Sequence, residues 1–205
     1  MNPEFLAFSL VILLFSVILH EVMHGWVTLQ FGDSTAQRMG RLTLNPLPHI
    51  DPIGTILLPV LLTISGSPFL IGWAKPVPVN PLNFSNLRKG ELFVSAAGIV
   101  ANFVLAIICA ILYHLLATTN APALLLQLLR YSVVINLVLG VFNFFPIPPL
   151  DGSKILLSQL PYNLARQYER FEQNGFIILI VLLVTGIPQT ILGLVVGVLL
   201  KLLGF

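Results

Sequence analysis

Apolar positions along the chain gather into long unbroken runs, and polar positions collect between them. Residues 5–31 hold 27 positions with no proline or strong breaker, closed by Gly32 and Asp33. As a helix that run is about 40 Å long, against a hydrocarbon core of about 30 Å. Two further runs, Leu92 to Leu116 and Leu124 to Phe145, predict spanning helices, the second ending at Pro146. Residues 53–71 are apolar but broken by Gly54, Pro59, Gly66 and Pro68. Residues 176–203 are apolar but divided by Gly186 and Pro188, so this segment either spans once or folds back. Between the runs, residues 33–52 are polar and turn-rich. Residues 161–175 read as an amphipathic helix with Arg166, Glu169, Arg170 and Glu172 on a solvated face. Arg41 to Leu44 and the alternation Val77-Pro78-Val79 predict short β segments, since proline is tolerated on an edge strand.

The segment 53–71 decides the topology. If it crosses once, its two flanks lie on opposite sides of the bilayer; if it dips in and returns, they share a side. In the second arrangement Arg38, Arg41, Lys75, Arg88, Lys89, Lys154, Arg166 and Arg170 all lie on one side, and the opposite loop, 117–123, carries no Lys or Arg. Cytoplasmic loops are enriched in Lys and Arg, so the re-entrant arrangement is expected. Irregular backbone at membrane depth is tolerated where protein or a water-filled cavity surrounds it.

Composition agrees with a membrane setting. The 205 residues are 57% hydrophobic and 9% charged, where a soluble domain carries about 25% charged residues. A net charge of +2 is too small to point to nucleic acid. Cys109 is the single cysteine, which excludes an internal disulfide and suits a small packing residue. The first apolar run has only Glu4 before it, no basic region and no small-residue cleavage site, so it reads as a mature helix. No linker, repeat or low-complexity tract divides the chain. The expected fold is an all-α polytopic membrane protein forming one domain, 1–205. Three transmembrane helices make its core, with a re-entrant insert carrying short β segments and one or two C-terminal membrane helices.

Ionisable residues interrupt the first run at Val17-Ile18-Leu19-His20-Glu21-Val22-Met23-His24-Gly25-Trp26. Residues four apart share a helix face, so His20 and His24 point the same way and can bind one metal. Glu21 lies about 100° round the helix, within reach of a water on that metal. Zinc held by three protein ligands keeps a place for water and lowers its pKa to about 7. The bland reading is a polar patch joining helices, but ionisable groups in lipid are costly and usually face a polar interior. Candidates for a third ligand are His49, Asp51, His114 and Asp151. Asp151 follows the third spanning helix in Asn143-Phe-Phe-Pro-Ile-Pro-Pro-Leu-Asp151-Gly152, whose prolines favour a loop or broken helix at the membrane end that holds His20 and His24. His49 and Asp51 fit loop-fixing roles better, and His114 belongs at the far end of its helix. Asn102 and Asn136 suit hydrogen bonds between helices.

HEVMHG in an apolar helix, then Gly90-Glu91-Leu92 with Ala97-Gly98 and Asn102, then NFFPIPPLDG resemble, in order, the blocks of the site-2 protease family of intramembrane zinc metalloproteases. The resemblance covers residues 5–160. It implies that His20, His24 and Asp151 bind zinc and that Glu21 is the general base. It places Asn143 near the active site, where it would help to hold substrate or an oxyanion, against the plainer reading of a cap or loop hydrogen bond. It also implies that the partners are a lipid bilayer and a transmembrane substrate cut in or near its membrane segment. The compact form without PDZ or CBS domain and the basic side of the site suit a prokaryotic plasma membrane with the site facing the cytoplasm. Ser153 stands where a second glycine often follows LDG in that family. The rival reading is an inactive metal-binding scaffold, against which the presence of Glu21 speaks, because metal binding alone does not need it.

Overall fold

The computed structural model describes residues 3–57, 61, 64 and 73–205. The three long apolar runs form the three longest helices: α1 (Pro3–Gln30), α3 (Leu87–Ala117) and α4 (Ala123–Phe144), each long and apolar enough to cross a bilayer. A short turn, α2 (Thr35–Arg38), follows α1. Pro3 sits at the start of α1, where its missing N–H costs nothing. The side chain of Asn86 caps α3 by accepting from Lys89 N–H at 3.0 Å. The chain is a multi-pass membrane protein.

α3 is the central helix and packs against both α1 and α4. Its inward face is built of small residues, Gly98, Ala101, Ala106 and Ala110, which let neighbouring backbones approach closely where lipid provides no hydrophobic drive between helices. Ala106, Cys109 and Ala110 pack with Val133, Leu137 and Val141 of α4. Leu6, Val11, Phe15, Ile108 and Ile111 stay exposed, as expected for surfaces facing acyl chains.

The predicted short β segments are absent among the described residues. Leu42 to Leu44 form bends, and 73–80 run extended without a partner strand. Pro76 and Pro78 have no N–H to give a ladder, and the carbonyls of Lys75 and Pro76 accept instead from the Arg41 guanidinium at 2.7 and 3.2 Å.

The re-entrant course expected for 53–71 lies mostly outside the described residues, but its two ends meet. Trp73 N–H donates to Gly54 O at 3.2 Å, and Thr55 Oγ1 donates to Trp73 O at 2.8 Å. Pro52–Leu57 form a single π-helical turn. Beyond α4, a turn leads into α5 (Asp151–Gln159), then α6 (Tyr162–Glu172). Asp151 therefore opens a helix that the prolines before it had masked. The last apolar run is two helices, α7 (Gly175–Thr185) and α8 (Ile187–Leu202), bent by 74° at Gly186, whose φ of +74° suits glycine.

Candidate metal centre

Two helices bring three ligand-type atoms together. His20 and His24 share one face of α1, and Asp151 reaches them from the first turn of α5. The Nε2 atoms of His20 and His24 are 3.0 Å apart, and Asp151 Oδ2 lies 3.1 Å from the first and 3.3 Å from the second. Among the described residues this is the one such cluster. Ligands about 2.0–2.2 Å from a tetrahedral zinc stand about 3.3–3.5 Å from one another, so the spacing is near that of zinc ligands.

The proton positions follow from the surrounding hydrogen bonds. Asn136 Nδ2 donates to Ser132 O at 2.9 Å and to Ser16 Oγ at 2.9 Å, so its Oδ1 faces Asn102. Asn102 Nδ2 then donates to that oxygen at 2.9 Å, which turns Asn102 Oδ1 toward His20. His20 Nδ1, at 2.7 Å from an acceptor, must carry a proton. His24 Nδ1 is likewise a donor, because its partner at 2.6 Å is the carbonyl of Val94. In their neutral forms both imidazoles then turn the lone pair of Nε2 toward the carboxylate. Asp151 Oδ2 is buried and accepts no hydrogen bond. Three electron pairs converging at 3.0–3.3 Å repel one another unless a cation sits among them. The donor set of two neutral imidazoles and one carboxylate fits zinc.

Glycines make the fit possible. A Cβ at Gly98 would stand 2.6 Å from Nε2 of both His20 and His24. A Cβ at Gly152 would meet the carbonyl oxygen of Phe144 at 2.1 Å, so only glycine lets the chain turn from α4 into Asp151 here.

Glu21 lies beside the cluster and accepts from Val77 N–H at 2.7 Å. A cavity of about 550 Å³ opens onto both, with Val79, Glu91, Lys154 and Glu172 among its walls. A smaller cavity of about 240 Å³ shares His20, Glu21 and Asn143 with it. That cavity in turn shares Val17, Trp73, Ala74 and Leu139 with an apolar groove of about 500 Å³ between α1 and α4. The polar centre and the apolar groove are thus neighbours, separated by the residues they share.

The other candidates fall elsewhere. His49 is fully buried and meets Thr43 O at 2.9 Å, and Asp51 caps its own turn by accepting from Ile53 and Gly54 N–H. His114 meets Leu203 O at 2.7 Å, at the opposite end of α3. Asn143 lines both of the first two cavities, while its Nδ2 donates to Leu139 O one turn back. Asn102 and Asn136 do link helices, but Asn102 also holds His20. That role was missed; its one signal was a buried asparagine in an apolar helix.

The fold and the cluster define a multi-pass membrane protein with a buried centre of metal-binding type. Peptidase family M50 matches residues 114–186, which include Asn143 and Asp151. YwhC of Bacillus subtilis (strain 168), provisionally named a zinc metalloprotease, is 38% identical over 191 residues, 90% of this chain and 84% of that protein. Rip2 of Mycolicibacterium smegmatis, named in the same provisional way, is 34% identical over 177 residues, 84% of this chain and 64% of that protein. The zinc metalloprotease MJ0392 of Methanocaldococcus jannaschii is 28% identical over 156 residues, 76% of this chain and 35% of that protein. No solved structure matches. The chain belongs to peptidase family M50, the site-2 protease family, and is a zinc-dependent membrane metalloprotease.

Proposed function

We propose that the 205 residues form one membrane-embedded domain that hydrolyses peptide bonds in or near the transmembrane segments of other membrane proteins. In this reading His20, His24 and Asp151 hold the zinc, and Glu21 is the general base. The observation that carries it is the convergence of three acceptor atoms within 3.0–3.3 Å, inside a span and beside a carboxylate. The apolar groove between α1 and α4, which shares walls with the small cavity at Glu21, supports a substrate that arrives from the bilayer. His20 lies about 26 Å along α1 from Pro3, nearer its C-terminal end. Arg88, Lys89 and Lys154 belong to the same end as the cluster, and the loop joining α3 to α4 has no Lys or Arg. The positive-inside rule supports a site facing the cytoplasm, and the proposed setting is a prokaryotic plasma membrane.

When bound, zinc supplies a Lewis acid that polarises a carbonyl and makes water a stronger nucleophile. Glu21 accepts a proton as water oxygen bonds to the scissile carbonyl carbon, then delivers it to the amide nitrogen as the C–N bond breaks. Asn102 and the Val94 carbonyl keep the imidazoles in the tautomers that face the cation. Asn143 lies across the cavity, where its amide, released from Leu139 O, can donate to an oxyanion. The apolar walls of the groove limit water to the polar end.

The test is a pair of measurements on wild type and Glu21→Gln in liposomes: bound zinc, and cleavage of a panel of single-span substrates against soluble peptides. Equal zinc, with cleavage by wild type alone and faster cleavage of the membrane-spanning panel than of soluble peptides, is expected. Cleavage of soluble peptides alone would overturn the intramembrane reading. Loss of zinc in neither His20→Ala nor Asp151→Ala would overturn the ligand assignment.

A further inference from the structure

Glu21 has a main-chain partner 56 residues away: Val77 N–H, which donates to its Oε2 at 2.7 Å. Pro76 and Pro78 have no N–H, so Val77 carries the single main-chain donor between Lys75 and Val79. The extended segment is fastened on both sides of that donor. Upstream, Lys75 N–H donates to His49 O at 2.8 Å, and Arg41 donates to the carbonyls of Lys75 and Pro76. Downstream, Asn80 N–H donates to Asp33 Oδ2 at 2.7 Å. The Val77 side chain is itself buried against Gly25, where a Cβ would come within 2.8 Å of Val77 Cγ1. Arg41 is 5% exposed and forms no ion pair among the described residues; its Nη2 serves both carbonyls.

A glutamate next to a metal ligand on a helix has three side-chain torsions and several staggered positions open to it. A donor fixed at three points selects one of them. We infer that Val77 N–H, held in place by Arg41, is a positioning group that locks Glu21 through Oε2 and leaves Oε1 for the proton transferred in peptide hydrolysis. The prolines on either side keep this donor from being drawn into a β ladder. The inference rests on Glu21 being the base.

The deciding experiment compares Val77→Pro, which removes the N–H, with Val77→Ala, which keeps it, in full-length protein in liposomes. Zinc content, KM and kcat on one single-span substrate are measured for each. A misplaced catalytic group costs on the order of 10²-fold in rate, so kcat of Val77→Pro is expected about that far below Val77→Ala. KM should change by less than about threefold, since the lost interaction is not one with substrate. Arg41→Met should lower kcat in the same direction, and Arg41→Lys should restore part of it. If Val77→Pro does not fold, the Arg41 pair decides: kcat unchanged in Arg41→Met at full zinc overturns the inference. So does a Val77→Pro enzyme as fast as Val77→Ala. Glu21→Gln separates the two levels. If it still cleaves, the base assignment is wrong; if it is inactive while Val77→Pro matches Val77→Ala, only the positioning role fails.

Discussion

His20 Nδ1 lies 2.7 Å from Asn102 Oδ1, and that single contact ties the candidate metal centre to a buried polar network spanning three helices. The direction of the bond is set two residues further on, by the Ser132 carbonyl that accepts from Asn136. Polar groups this deep are costly unless satisfied, and here each link satisfies the next.

Replacing Asn102 by Leu should therefore weaken zinc binding without removing a ligand. The His20 ring loses the acceptor that fixes its tautomer, and partners of this kind are worth about 10–100-fold in metal affinity. A chelator competition titration on the purified protein measures it. Affinity equal to wild type would mean that the network serves helix packing alone.

Gly98→Ala separates helix stability from metal binding. Alanine favours the helical state over glycine by about 1 kcal/mol, so α3 should keep its helicity. The new Cβ, however, would stand 2.6 Å from both imidazole nitrogens. The expected variant retains its circular dichroism spectrum and thermal midpoint within a few degrees, and loses at least about tenfold in zinc affinity. Retained affinity would show that the rings shift without cost.

The parts of this architecture that sequence reading reached are those written into local pattern. The three spans end within a few residues of their expected limits, because an apolar run of sufficient length leaves a chain in lipid few choices. The i, i+4 spacing put His20 and His24 on one face. Asp151 rested on its place after the third spanning run and on a resemblance, and the helix it opens, DGSKILLSQ, was hidden by the prolines before it and by its mixed polarity. The β segment at 77–79 failed where proline removed the donors a ladder needs, and 42–44 form bends instead. Contacts such as Glu21 with Val77, or His20 with Gly98, join residues far apart in the chain, and no local period encodes them.

Asp33 gives the fold a pH dependence outside the spans. Burial alone would raise its carboxyl. Donation from Asn80 N–H, from the Thr35 hydroxyl and N–H and from the Asn83 amide outweighs that and holds it below the usual carboxylate range. A depressed folded-state pKa contributes stability that is fully present above the unfolded value of about 3.9 and lost as pH falls through the folded value. Hydrogen bonds to a charged group are worth about 1.5–3 kcal/mol each, so Asp33→Ala should lower the thermal midpoint at pH 7 by several degrees. The gap from wild type should hold down to about pH 4 and narrow below it. A gap that is constant down to pH 2 would remove the charged form of Asp33 from the explanation.

The groove between α1 and α4 makes the last prediction. Val17 lies on its wall and also borders the small cavity that reaches His20 and Glu21, while Trp73 stands at the same junction. The Trp73 ring lies so close over Gly54 that a Cβ there would meet it at 2.3 Å. Filling the groove with Val17→Trp should obstruct a membrane segment moving toward Glu21 while leaving the three ligand-type atoms as they are. Zinc content should be unchanged, and kcat/KM for a single-span substrate should fall by about tenfold or more, since even one methylene of misfit in an apolar pocket is worth about 1–3 kcal/mol. A soluble peptide reaching the site through the polar cavity at Glu91 and Lys154 should be cut at the wild-type rate. Equal losses on both substrates would mean that Val17→Trp disturbs Glu21 or His20 itself. Equal activity on both would mean that membrane segments approach from the polar side.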